Sequence, residues 1–333
     1  MHRILVTGGA GYIGSHTVKL LRDARYEPIV LDNLSTGNRW AVGSSKFFET
    51  DLADEEATYE ILLQQRVSAI IHFAASAYVG DSMRMPEEYF ENNVSSGIKL
   101  LRAARKAGVE LIVFSSSCAT YGIPSEIPIA EDHPQLPINP YGDSKLFFEK
   151  MLRWYGEAYG MRSVSLRYFN AAGADPEGEL GECHNPETHV VPSIMEAVLG
   201  QRPQIEVFGN DFSTPDGTAI RDYIHVTDLG SAHLLALEYL LSGGASCAVN
   251  LGTGQGTSVL ELIEQVEKAS GQTVPVKYCN RRPGDPTTLV ADNAKALRVL
   301  NWRPAHSAID EIVQTAWRWQ SSLLPDRVLS KSL

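Results

Sequence analysis

Thr7-Gly8-Gly9-Ala10-Gly11-Tyr12-Ile13-Gly14 follows a short apolar run at 4–7 and leads into an amphipathic stretch at 13–24. Glycines at 8, 11 and 14, or equally at 9, 11 and 14, suit a strand-to-helix turn. Such a turn needs unusual φ, backbone close to a phosphate, and tight helix–strand packing. The start of the helix then offers free N–H groups and a positive dipole end to a pyrophosphate. Glycines in such a turn can be purely structural, so the surroundings must decide. Asp32 closes the next apolar run, about 20 residues on, where a carboxylate accepts hydrogen bonds from an adenosine ribose. It would also repel a 2′-phosphate, so NAD is expected rather than NADP.

Around this turn the first half of the chain alternates branched apolar runs with longer amphipathic segments. The runs at 4–7, 28–32, 46–49, 69–73, 111–115 and 163–167 read as strands. The stretches at 13–24, 54–65, 86–107 and 140–159 read as helices. Continuous apolar strands separated by helices predict an α/β fold with a doubly wound parallel sheet of the Rossmann type. After Asn170 the texture changes. A Gly-, Pro- and acid-rich loop at 172–186 precedes helices at 192–199, 226–241, 258–268 and 308–321, and strands at 205–208 and 274–278. The expected division is a dinucleotide-binding domain at 1–170 and a smaller mixed α/β substrate domain at 171–333, some of whose elements return to the first sheet.

Bulk properties narrow the function. A net charge of −11 argues against a binder that tracks nucleic-acid phosphates. Cys118, Cys183, Cys247 and Cys279 form no CxxC pair, which fits a reducing compartment. No run approaches the length of a membrane helix, so a soluble, cytoplasmic protein is expected.

The second informative stretch is Tyr141-Gly142-Asp143-Ser144-Lys145, after Ser115-Ser116-Ser117 and directly behind Pro140. Proline suits the first turn of a helix, and residues four apart share one face. A phenol with a pKa of about 10 is a poor base at neutral pH. An ammonium beside it, with a positive nicotinamide nearby, favours the phenolate. Ser117 can donate to, or relay a proton from, a substrate hydroxyl. The spacing alone arises by chance on amphipathic helices; its place inside a dinucleotide-binding unit gives it weight.

Seven motifs together resemble the extended short-chain dehydrogenase/reductase superfamily and, within it, the UDP-glucose 4-epimerase family. They are 7–14, Leu31-Asp32-Asn33-Leu34, 115–122, 141–145, Arg167-Tyr168-Phe169-Asn170, Arg221-Asp222-Tyr223-Ile224-His225-Val226 and Arg281-Arg282-Pro283-Gly284-Asp285. The resemblance runs nearly end to end, through Trp317-Arg318-Trp319-Gln320. It implies redox-neutral 4-epimerisation of a UDP-sugar by an enzyme holding NAD, with UDP-glucose and UDP-galactose as the expected pair. Ser117, Tyr141 and Lys145 would be catalytic. Cofactor contacts would fall on Gly8, Gly11, Tyr12, Ile13, Gly14, Asp32, Asn33, Thr36, Asp51, Leu52, Phe73, Ala74, Asn92, Ser115, Tyr141, Lys145 and Phe169. Substrate contacts would fall on Ser117, Tyr141, Asn170, Val190, Phe208, Arg221, Arg282, Asp285 and Leu289. Arg221 and Arg282 suit a diphosphate, because guanidinium groups bind phosphate oxygens through paired donors; structural ion pairs are the other reading of each.

The chain departs from the family pattern in places. Ala77 and Tyr78 stand where some relatives have a lysine near the nicotinamide, and His189 where they carry asparagine. Leu289, at the pocket-gating position, is intermediate in size, so N-acetylhexosamine and pentose substrates stay open beside the hexoses. Dehydratase relatives carry Asp-Glu after the residue matching Ser117, and decarboxylase relatives a glutamate at the second place; Cys118 and Ala119 stand there instead. A non-catalytic NAD- and UDP-sugar-binding protein is the rival from another class, and an intact Ser117, Tyr141 and Lys145 weigh against it. Cys183, His184 and His189 lack a second ligand pair at zinc-site spacing, so no metal is expected. The apolar pairs Leu100-Leu101 and Phe147-Phe148 read as core. By family analogy, the helices that carry them would pack across a homodimer interface.

Overall fold

Branched apolar runs with no polar alternation bury both faces of a strand, and the core divides accordingly. In β1 (Arg3–Thr7), Ile4 and Val6 enter one apolar cluster and Leu5 the other. The same split occurs in β2 (Glu27–Asp32), with Val30 opposite Ile29 and Leu31, and in β5 (Leu111–Ser117), with Val113 opposite Ile112 and Phe114. The structure, a computed structural model, describes residues 2–282 and 284–323. Strands β3 (Lys46–Glu49), β4 (Ala69–His72) and β6 (Arg162–Tyr168) join these three, with Cys247–Leu251 on the edge beside β6. The order is Cys247–Leu251, β6, β5, β4, β1, β2, β3, parallel throughout.

Helices Tyr12–Asp23 and Val226–Leu241 cover one face; Glu55–Gln64, Ser96–Lys106 and Pro140–Tyr159 cover the other. The chain begins in the middle at β1, runs outward to β3, then returns to β4 on the other side of β1. A crevice opens beyond the carboxyl ends of β1 and β4 at this reversal, the usual ligand position in such sheets. A third apolar cluster, including Ile194, Met195, Val207, Leu262, Ile312 and Val313, lies in the C-terminal half. Three small sheets accompany it: Asn170–Ala172 with Tyr223–His225, Ile205–Phe208 with Val276–Cys279, and Ile220–Arg221 between Thr257–Ser258 and Thr288–Leu289.

The structure revises several expectations. The segment 86–107 is not one helix: Pro86–Phe90 and Ser96–Lys106 flank a π-helical turn, Glu91–Ser95. Strand Cys247–Leu251 and helices Val79–Arg84 and Ala294–Leu300 were not anticipated. That strand contains alanine and asparagine, both weak strand formers, and its register against β6 sets its conformation. Leu100, Leu101 and Phe148 are buried, but Phe147 points outward and is 50% exposed. Among the described residues, no helix is long and apolar enough to cross a membrane.

Candidate active site

The glycine turn is shaped for close approach. Gly8 has φ +72°, and a Cβ there would stand 2.5 Å from the Ala74 backbone nitrogen. A Cβ on Gly14 would meet the Gly8 carbonyl oxygen at 2.2 Å, so the helix can lie against the turn only without one. Gly11 precedes Tyr12–Asp23 and provides no side-chain cap. The helical ladder begins with Ser15 N–H donating to Gly11 O at 2.9 Å, which leaves the first-turn amides of Tyr12, Ile13 and Gly14 for an anion. These features fit a dinucleotide pyrophosphate.

Asp32 ends β2 beside this turn. Its Oδ2 accepts from Ala10 N–H at 3.0 Å and its Oδ1 from Leu34 N–H at 2.8 Å. Burial pushes its carboxyl up, against the pull of these two donors. Each oxygen keeps acceptor capacity for a ribose hydroxyl. Asn33 donates to Asp51 at 2.8 Å, with buried Leu52 following. Thr36 borders a small pocket with Gly11, Tyr12 and His184. On the β4 side of the crevice, Phe73 packs with its ring centroid 4.5 Å from that of His233. Asn92 lies exposed on the π-helical turn and donates to Ser76 at 2.9 Å.

At the end of β5 the proposed reaction residues converge. Pro140 opens the helix Pro140–Tyr159, and Asn139 caps it by accepting from Gly142 N–H at 2.8 Å. Tyr141 and Lys145 therefore point from one face toward the end of β5, and both are buried. Lys145 Nζ donates to Ser115 O at 2.8 Å and lies 5.8 Å from the Tyr141 ring centroid. Burial pushes the Lys145 ammonium down to about 7. Burial also raises the Tyr141 phenol, and its hydrogen bond with Ser117 only partly opposes this. The expected lowering of the phenol, which rests on the ammonium together with a positive nicotinamide, is not produced by the protein alone, because desolvation dominates. Phenolate would need positive charge from a bound ligand.

Several residues to which the sequence assigned no role hold this centre. Glu149, two helical turns beyond Tyr141, accepts from Ser116 Oγ at 2.5 Å and from the Arg167 guanidinium at 2.6 Å. Arg167 also donates to Tyr121 Oη at 2.9 Å. Asn93, in the π-helical turn, donates to Ser144 at 2.9 Å and accepts from Ser76 N–H at 2.8 Å. Tyr168 meets Ser115 at 2.9 Å. The only sequence signal for Glu149 is its i,i+4 continuation of the Tyr141–Lys145 face; the π-helical turn gives none.

The C-terminal segments face the crevice differently. Arg221 pairs with Asp285 at 2.5 Å, and Arg282 lies over the Phe208 ring at 3.9 Å. Leu289 pairs with Arg221 in a two-residue strand and packs on the cluster of Cys118, Tyr121 and Phe169. Asn170 N–H donates to Asp222 O at 3.0 Å, and Val190 begins the helix Val190–Val198 directly after His189. Ala77 is exposed, whereas Tyr78 leans on His189 with ring centroids 5.8 Å apart.

A family model described as the NAD dependent epimerase/dehydratase family matches residues 4–252. The chain belongs to this family. UDP-glucose 4-epimerase of Streptococcus mutans is 51% identical over 322 residues, covering 96% of this chain and 97% of that protein. The crystal structure of UDP-glucose 4-epimerase from Brucella ovis in complex with NAD superposes with a TM-score of 0.94 at 51% identity, covering 96% and 99% of the two chains. A UDP-glucose-4-epimerase from Stenotrophomonas maltophila, with bound NAD and formylated UDP-arabinopyranose, superposes with a TM-score of 0.93 at 37% identity, covering both chains fully. The family match includes the glycine turn, β5 and Arg221; Arg282, Asp285 and Leu289 lie beyond it but within the whole-chain similarity.

Proposed function

We propose that this chain interconverts UDP-glucose and UDP-galactose by 4-epimerisation on tightly held NAD. The observation that carries the reading is the buried group of Ser117, Tyr141 and Lys145 at the end of β5, beside a crevice whose glycine turn fits a dinucleotide. NAD would lie along Gly8, Gly11–Gly14, Asp32, Asn33, Thr36, Asp51, Leu52, Phe73, Ala74, Asn92, Ser115 and Phe169. When bound it supplies the acceptor for a hydride from the sugar C4 and later the donor that returns it. The protein's part is proton handling and positioning. Tyr141 takes the 4-hydroxyl proton as phenolate and gives it back, Ser117 hydrogen-bonds the same oxygen, and Lys145 supplies positive charge beside the phenol. Arg221, Arg282 and Asp285, with Asn170, Val190 and Phe208, hold the UDP end. Anchoring only that end lets a 4-keto sugar present either face.

Cys118 and Ala119 support epimerisation over dehydration or decarboxylation, since neither provides a carboxyl group beside Ser117. The thiol, raised by burial to about 12, stays protonated. UDP-pentoses form a second substrate class, suggested by the UDP-arabinopyranose named with the similar structure. Residues 1–170 would serve the cofactor and 171–333 the nucleotide sugar, except that Val226–Leu241 and Cys247–Leu251 complete the first sheet. The chain would act in the cytoplasm as a homodimer joined through Pro140–Tyr159, whose Phe147 and Trp154 are 50% and 57% exposed on one face.

Purified protein should interconvert the two UDP-hexoses, followed by proton NMR, with no added oxidant. Tyr141→Phe should lose about 100- to 10,000-fold in turnover while still binding UDP. Unchanged turnover in that variant would reject Tyr141 as the base.

A further inference from the structure

Away from the reaction centre, the loop at 173–189 gathers Glu182, His184, Glu187 and His189. One ligand atom from each lies within 4.8 Å of all the others. The pattern Glu-x-His-x-x-Glu-x-His escapes a search for paired cysteines or helical histidines, because the loop rather than a helix creates the convergence. Glu182 Oε1 is hydrogen-bonded by His189 Nδ1 and lies 3.1 Å from His184 Nδ1. Glu187 approaches the same two nitrogens at 3.7 and 3.8 Å.

Charge balance makes the group notable. The Glu182 and Glu187 side chains are only 5% and 3% exposed. Buried carboxylates require compensation. Among the described residues their ion-pair partners are these two imidazoles; Arg202 reaches only the Glu187 carbonyl and pairs with Glu196. Compensation can therefore come from protons on the rings or from one divalent ion. Two imidazole nitrogens and two carboxylate oxygens suit a zinc-class ion better than calcium or magnesium, which favour all-oxygen shells.

Hydrogen bonds from the surrounding structure hold the loop and the Glu187 carboxylate in place. Glu187 Oε1 accepts from the N–H groups of Thr188 and His189, both at 2.8 Å. The Glu182 carbonyl accepts from Trp319 Nε1 at 2.8 Å, and the Cys183 carbonyl from Asn38 Nδ2 at 3.1 Å. His189, partly exposed, leaves an entry path. Tyr12, from the cofactor-facing helix, meets the His184 ring edge-on.

We propose that Glu182, His184, Glu187 and His189 form a structural site for a zinc-class divalent ion that fastens this loop to the glycine turn. The site is separate from the proposed hydride chemistry and stands without it. The NAD-loaded protein, treated with chelator and then titrated with Co2+, should take up one ion per chain with the intense visible absorption of tetrahedral cobalt. Zn2+ should displace it and raise the unfolding temperature. His184→Ala/His189→Ala should lose uptake and absorption, whereas Cys183→Ser should keep both. Should the double variant fail to fold, Glu182→Gln tested alone should lose the tetrahedral spectrum. Absence of uptake, a weak octahedral spectrum, uptake that persists in the double variant, or a tetrahedral spectrum that persists in Glu182→Gln would each overturn the site and indicate a proton-compensated cluster. Epimerase turnover, measured separately, reports on the other proposal.

Discussion

The two sides of the crevice are built on different principles. At the end of β5, the proposed reaction residues are buried, and polar atoms in and around them are already paired: Lys145 with Ser115, Ser116 with Glu149, Glu149 with Arg167. At the opposite side, Arg221, Arg282, Asp285 and Leu289 stand on two-residue strands and loops, and the charged groups pair with one another or lie on a ring. A group that must transfer a proton repeatedly to one atom benefits from fixed geometry. A group that must grip and release a diphosphate benefits from partners it can exchange. Pre-organisation here follows the sheet, and adaptability follows the loops.

The sharpest way to break this contrast is to remove Arg167. The Arg167 and Glu149 side chains are 6% and 9% exposed, so Arg167→Ala strands a buried carboxylate. The expected loss is about 3–5 kcal/mol of stability, read by urea unfolding. A loss below about 1 kcal/mol would mean that the buried side is not held by this pair.

Lys145 gives a second test, in pH. Its folded value of about 7 lies below the ordinary 10.5 because burial disfavours the ammonium. Between these limits the unfolded chain keeps a proton that the folded, cofactor-free chain has shed, so stability should rise with pH across that window. Below pH 7 both states are protonated and the full penalty applies. The slope contributed by one such proton is at most about 1.4 kcal/mol per pH unit. Urea unfolding of the native chain and Lys145→Met at several pH values should show the difference shrinking as pH rises. A constant difference would show that Lys145 is charged in the folded state.

On the open side, Arg282→Ala should leave stability within about 0.5 kcal/mol, because the side chain is exposed over Phe208. UDP affinity should fall by the worth of a charge-assisted hydrogen bond, about 1.5–3 kcal/mol, measured by calorimetry. Unaltered UDP affinity would leave Arg282 as a surface cation stacked on a ring.

The same division decided what could be read from the sequence. The sheet was legible because strands buried on both faces must be continuously apolar, and the glycine turn because two glycines there admit no Cβ. Tyr141 and Lys145 were legible from helical spacing behind a proline. The π-helical turn was not, since a wider turn needs no distinctive residue, and Asn93 was missed with it. The phenol's upward shift was hidden too: spacing gives the neighbour of Tyr141 but not the water that burial removes. Cys247–Leu251 carried no strong strand signal, and its pairing partner is distant in the chain.

Leu289 lies where the two sides meet, paired to Arg221 by backbone and packed on the apolar cluster that contains Cys118. If the loop side sets the size of sugar admitted, trimming this residue should alter selectivity without disturbing proton transfer. Leu289→Ala should improve kcat/KM for a UDP-N-acetylhexosamine relative to UDP-glucose by about tenfold, near the lower end of what a small change in an apolar pocket yields. Turnover of UDP-glucose at saturation should change little, because Ser117, Tyr141 and Lys145 are positioned by β5 and the helix Pro140–Tyr159, not by Leu289. A matched fall in UDP-glucose turnover would mean that packing on this cluster transmits to Ser117, and the two sides of the crevice would then act as one.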